Sequence, residues 1–100
     1  MTVQEFFAQL PERADPVKIA GMQNTYVFDV EDVGQWTVAV DDGTVTVTEG
    51  ASEADCTITA SEETLAKIAS GEANPTTAYM TGKLKISGDM GAALKLQKLF

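Results

Sequence analysis

The sequence predicts a two-layer α+β domain, with one β-sheet covered by helices on a single face. Three observations carry that prediction. Between Thr25 and Ala60 apolar and polar residues alternate in four stretches, the period of strands with one buried and one wet face. The wet phase is rich in threonine while the other is aromatic and aliphatic, so only one face needs cover. Helix start signals then flank this block on both sides: Thr2 with Glu5 before it, and Ser61 with Glu62 and Glu63 after it.

The elements follow in order. Thr2 and Glu5 form a capping box for a first helix whose apolar side is Phe6, Phe7 and Leu10, with Pro11 after it. Asp15-Pro16 reads as the start of a second, short helix through Ile19 and Ala20, stopped at Gly21. Tyr26, Phe28 and Val30 then point inward from a first strand, with Thr25, Val27 and Asp29 on the wet side. Trp36, Val38 and Val40 do the same in a second strand, Val45 and Val47 in a third, and Cys56, Ile58 and Ala60 in a fourth. Asp42-Gly43 is the turn signal between the second and third. A helix capped by Ser61 buries Leu65, Ile68 and Ala69 and ends at Gly71. Asn74-Pro75 opens another short helix, Lys83 to Ser87 forms a fifth strand with Leu84 and Ile86 inward, and Asp89 caps a last helix running to Phe100.

Composition removes several function classes. The chain has 100 residues, no histidine and one cysteine, so it is one domain without a Ser-His-Asp triad, a Cys-His pair, a CxxC motif or a His-ligated metal. No catalytic residue and no metal ligand is assigned, and none of the acidic pairs is marked as a catalytic pair. Cys56 shares the phase of Ile58 and is expected as a buried small hydrophobe. No apolar run is long enough to span a membrane, and Met1 to Leu10 lacks the basic start of a signal peptide. A cytoplasmic location is the expectation.

Charge is unevenly placed. Of the 15 acids and 7 bases, residues 83–100 hold Lys83, Lys85, Lys95 and Lys98 against Asp89 alone. The net charge of −8 argues against nucleic acid as a partner, while the four lysines fit either a solvated surface or contact with anionic lipid headgroups.

The last helix carries too much apolar surface. On a helical wheel Met90, Leu94, Ala93, Phe100, Leu96, Ala92 and Leu99 cover more than half the circumference, where a helix on a sheet needs about 100°. The surplus must face another helix, a partner chain or an apolar ligand. Gln97 sits inside that arc, where an amide is costly unless hydrogen-bonded. Trp36, Tyr26, Phe28, Met80 and Met90 fit both a packed core and a lined cavity, which parity does not separate. The Gly88-Asp89-Met90-Gly91 turn is not a phosphate loop, because Asp89 would put a carboxylate where the phosphate must sit.

The run Asn74-Pro75, then Tyr79-Met80-Thr81-Gly82-Lys83-Leu84-Lys85-Ile86-Ser87-Gly88-Asp89-Met90-Gly91, then Ala93-Leu94-Lys95-Leu96-Gln97, closely resembles the sterol carrier protein 2 family. The Phe6-Phe7 helix, Ala20-Gly21, the strand Thr25 to Val30 and Trp36 extend the match over nearly the whole chain. The resemblance implies a five-stranded, mainly antiparallel sheet in order 3-2-1-4-5, covered on one face by about five helices. It implies a hydrophobic tunnel between the layers that takes sterols, fatty acids, fatty acyl-CoA or phospholipids without a cofactor. By the same resemblance Gln97 becomes a polar ligand contact, and Met80, Leu84, Met90 and Leu94 become lining residues. Trp36 and Phe28 join them on inward phase alone, and Phe100 is a candidate gate. The end Lys98-Leu99-Phe100 lacks a peroxisomal signal, which fits a stand-alone prokaryotic form. The expected function is non-enzymatic lipid binding and transfer by a monomer or weak homodimer. The alternative is a module that presents an acyl or isoprenoid substrate to an enzyme, or that dimerises through its last helix.

Overall fold

The computed structural model describes residues 3–95. Nine elements follow one another: α1 (Val3–Arg13), β1 (Gln23–Val30), β2 (Gly34–Asp41), β3 (Thr44–Glu49), β4 (Cys56–Ala60), α2 (Glu62–Ser70), α3 (Pro75–Met80), β5 (Leu84–Gly88) and α4 (Met90–Lys95). The strands form one sheet in the order β3-β2-β1-β4-β5. β1 and β4 run parallel, and every other neighbouring pair is antiparallel.

Local chemistry sets the turns. Asp42 and Gly43 both take positive φ, 43° and 89°, giving the two-residue turn whose twist suits a hairpin. Ser61 accepts the Thr64 N–H at 3.1 Å and so caps α2. Gly71 closes that helix in the left-handed conformation.

Strand register decides what shares a face. Trp36 lies opposite Phe28, Val38 opposite Tyr26, and Ile58 and Cys56 flank Phe28 and Tyr26 from β4. These residues, with Phe6, Phe7 and Leu10 of α1, Leu65 and Ile68 of α2, and Ala92 and Ala93 of α4, make one continuous core. α1 presents Val3, Phe6, Phe7 and Leu10 to it at helical spacing.

Several expectations are corrected. Pro11 does not end the first helix but lies within α1, which continues to Arg13. Near a helix end a missing N–H and one freed carbonyl are tolerated. The segment 16–21 is a series of turns and not a second helix, so four helices are present among the described residues. Asp15 does bind the Val17 N–H at 2.9 Å as a cap would. The chain makes only one turn before Gly21, whose N–H is captured by Asp42 at 2.7 Å, and one turn does not repay helix nucleation. Val27 and Thr37, placed on the wet face by phase, are both buried. They pair with each other across β1 and β2. The loop after β3 folds over Thr37, whose hydroxyl donates to the Gly50 carbonyl at 2.7 Å and accepts from Ser52 at 3.1 Å. The expected cap Thr2, the side chain of Ala69, and the helical path beyond Lys95, with Gln97, Lys98 and Phe100, lie outside the described residues.

Candidate functional site

The helix-covered side of the sheet offers a half-open cleft of mixed lining between α1 and the β2–β3 edge. Its floor is aromatic. The rings of Phe7 and Trp36 stack at 4.8 Å and 15°, and Phe28 meets Phe7 at 5.3 Å. Ala8, Pro11, Val33 and Val47 complete the apolar walls, while Gln4, Gln35 and Glu49 stand at the rim of a cavity of about 380 Å³. That volume is within the range of small-molecule sites, and the lining mixes apolar walls with the polar side chains of Gln4, Gln35 and Glu49.

A second feature lies where β5 turns into α4. Gly88 packs so closely on β4 that a Cβ would stand 2.5 Å from the Asp55 carbonyl oxygen. Asp89 then caps α4, its carboxylate accepting the Gly91 N–H at 2.8 Å and the Ala92 N–H at 3.4 Å. The Tyr26 hydroxyl, fully buried, donates to the Ala92 carbonyl at 2.5 Å. Thus α4 is held over the central strand by small residues below and one buried hydrogen bond.

The two ionisable groups beneath α4 are poor reagents at neutral pH. Burial, then the nearby Asp55 and Asp89 carboxylates, pushes the Cys56 thiol up to about 11. Burial also raises the Tyr26 hydroxyl, with Cys56, Asp55 and Asp89 adding to it. Both therefore stay protonated, and the Tyr26 donor is permanent.

The sequence as a whole matches the model of the SCP-2 sterol transfer family over residues 3–100. This chain belongs to the SCP-2 sterol transfer family. Membership places it among lipid-binding and lipid-transfer domains in general. It is 44% identical over 79 residues to sterol carrier protein 2 of Gallus gallus, covering 79% of this chain and 13% of that protein. The chain thus spans a small part of the length of that relative. Among solved structures it is similar to the sec-alkylsulfatase Pisa1 of Pseudomonas sp., with TM-score 0.86 and 27% identity, covering 100% of this chain and 16% of the enzyme. The fold is also that of palmitated SCP2L2 of Aedes aegypti, with TM-score 0.78 and 24% identity, covering 99% of this chain and 94% of that one.

Against this SCP-2 fold the expected lining residues divide into two groups. Phe28, Trp36 and Leu84 are buried in one common core. Met80, Met90 and Leu94 are 79%, 43% and 66% exposed. Of the apolar arc of the last helix, the described part divides: Ala92 and Ala93 are buried, and Met90 and Leu94 are exposed. Phe7 and Val47 of the cleft were read by sequence as inward-facing core residues and not as lining residues, and Val33 was not read at all. Asn24, outside the cleft, has its side-chain oxygen buried without a hydrogen-bond partner among the described residues, a cost to folding. No helix among the described residues is long and apolar enough to cross a membrane.

The raised Cys56 thiol makes stability sensitive to alkali. Below about pH 9, the ordinary thiol value, the thiol is protonated folded and unfolded, and its contribution is fully present. From there to about 11 the unfolded chain loses its proton first, so stability falls as pH rises. Urea unfolding midpoints should be level up to about pH 9 and decline above it, with Cys56→Ala delaying the decline. A rise in stability above pH 9 would refute the assignment.

Proposed function

We propose that this domain binds fatty acids or the acyl part of larger lipids in the apolar layer between α1 and the sheet, and carries them without chemical change. The observation that carries the reading is the aromatic-floored cleft of about 380 Å³ in a chain of a lipid-binding family. Each methylene moved out of water contributes about 0.8 kcal/mol, so an acyl chain supplies its own driving force. Gln4 and Gln35 at the rim offer amide donors to a carboxylate or ester. Apolar walls discriminate weakly by length and bulk, which supports broad ligand acceptance.

Trp36 provides the test, because it is the chain's one tryptophan and forms the floor. Titration with palmitate should change its emission saturably, and native mass spectrometry should find retained lipid. No emission change, together with no displacement of a fluorescent fatty acid, overturns the reading. A second reading is a module that delivers an apolar substrate to an attached or partner enzyme. It is favoured by the likeness to 16% of Pisa1, a sec-alkylsulfatase. In that case binding persists, and fusion to or addition of the enzyme raises turnover of the long-chain substrate.

A further inference from the structure

The sheet ends at β5 on one side and at β3 on the other. A terminal strand shows a row of unpaired N–H and C=O groups, which proteins guard with lysine, proline or a bulge. β5 is guarded, with Lys85 in the strand and Lys83 just before it. β3 is not. From Gly43 to Thr48 it holds no charge and no proline, and it pairs with β2 one to one, without a bulge. The two-residue turn makes Asp41 and Thr44 a hydrogen-bonded pair, and such pairs alternate along the ladder. Thr44, Thr46 and Thr48 therefore bond to β2, in phase with the Gly50 N–H that donates to the Gln35 carbonyl at 2.7 Å. Val45 and Val47 direct their N–H and C=O groups away from β2, and among the described residues no other backbone segment takes them.

We propose that β3 pairs antiparallel with β3 of a second copy, around a two-fold axis at Thr46, joining the two sheets into one. The pattern of the strand selects this occupant. In this register Val45 meets Val47 of the other copy and Thr44 meets Thr48. Valines then stay on the helix-covered side and threonines on the open side in both copies, whereas a slip of one residue sets valine against threonine. Glu49 falls opposite Gly43 and Asp42 opposite Gly50, so no two carboxylates oppose each other across the axis. The free groups of Val45 and Val47 become hydrogen-bonded pairs. Pairing with β5 of a second copy would instead bring Lys85 into the ladder and leave a free edge at each end, an assembly that does not close. Val47 also lines the cleft, so Val45 of the second copy adds apolar surface beside it. That contribution rests on the lipid-binding reading, and the pairing itself does not.

Sedimentation of the whole chain tests the pairing. Dimer should grow with concentration and with added salt, which screens the repulsion between two copies of net charge −8. Thr46 is exposed, so Thr46→Glu should keep the circular dichroism of the parent. It sets two carboxylates face to face at the axis and should weaken the dimer by about 5-fold or more. Thr46→Cys should form an intermolecular disulfide on mild oxidation, because a non-hydrogen-bonded pair brings the two Cα atoms to about 4.5 Å, within disulfide reach. Thr44→Cys and Thr48→Cys should each fail alone, since like positions lie about 14 Å apart, and should cross-link when mixed. Cys56 is buried and does not compete. A chain that stays monomeric up to about 1 mM, open-ended assemblies, an unchanged dimer in Thr46→Glu, or equal cross-linking of the three cysteine variants alone overturns the proposal. These readouts use no lipid, so failure of the lipid-binding reading is seen separately, as no fatty acid bound by monomer or dimer.

Discussion

Replacing Gly88 with alanine should destabilise the domain by about 3 kcal/mol or more. Two independent causes act at this residue. Its φ of 113° lies where side-chain-bearing residues are strained. A Cβ would also stand 2.5 Å from the Asp55 carbonyl oxygen and 2.9 Å from the Cys56 Cα. Those are backbone atoms at the start of β4, fixed by the Asp55 N–H to the Thr25 carbonyl at 2.9 Å, so they cannot retreat as a flexible side chain could. The end of β5 must therefore move, and α4 moves with it, because Asp89 and Ala92 follow directly. Gly82→Ala separates the two causes, since Gly82 has φ 79° and an added Cβ there would meet nothing within 4 Å. It should cost only about 1 kcal/mol. Paired urea denaturation curves check this. Equal costs for the two substitutions would show that crowding at Gly88 is not the cause.

Phe7→Ala should cost about 3–5 kcal/mol, a large share of the stability of a domain this size. Phe7 is 1% exposed and is the ring on which the aromatic floor is assembled. It meets Phe6 at 5.2 Å, Phe28 at 5.3 Å and Trp36 at 4.8 Å. Its loss leaves Trp36 without its stacking partner and opens the cleft into the core. Near-UV ellipticity from Trp36 should collapse together with the unfolding midpoint. Phe7→Leu, which keeps most of the volume, should retain the midpoint to within about 1.5 kcal/mol. A loss below about 1 kcal/mol for Phe7→Ala would mean that α1 is not anchored through this ring.

Much of the architecture was legible because its causes are local. Alternation marked β1 to β4, the Asp42-Gly43 pair marked the hairpin, and Ser61 and Asp89 marked caps that the hydrogen bonds bear out. What escaped depends on residues distant in sequence. Whether residues 16–21 extend a helix is decided by Asp42, which holds Gly21 from across the hairpin. Val27 and Thr37 share the phase of the exposed threonines, and Thr37 is covered by the loop that folds over it after β3. The site divides in the same way. The family resemblance pointed at the C-terminal block, where the motif is dense. The Phe7–Trp36 stack joins two segments whose separation leaves no periodic trace. For α4 the wheel measured an apolar surplus without a direction. The direction is set by Ala92 and Ala93, small enough for close approach, and by the Tyr26 hydroxyl that seizes the Ala92 carbonyl.

The parallel pairing of β1 with β4 has a consequence for the order of assembly. β1, β2 and β3 are joined by short turns and can zip together as they leave the ribosome. β1 nonetheless ends up in the middle of the sheet, and its other edge must wait until Cys56–Ala60 has emerged. During that interval a strand bearing Tyr26, Phe28 and Val30 displays unpaired backbone next to an uncovered apolar face. Both are the ingredients of misassociation. The late pairing of β4 thus closes the edge most hazardous to a nascent chain. Two long loop closures, β1 with β4 and then β4 with β5, therefore weigh on the folding rate more than the hairpins do.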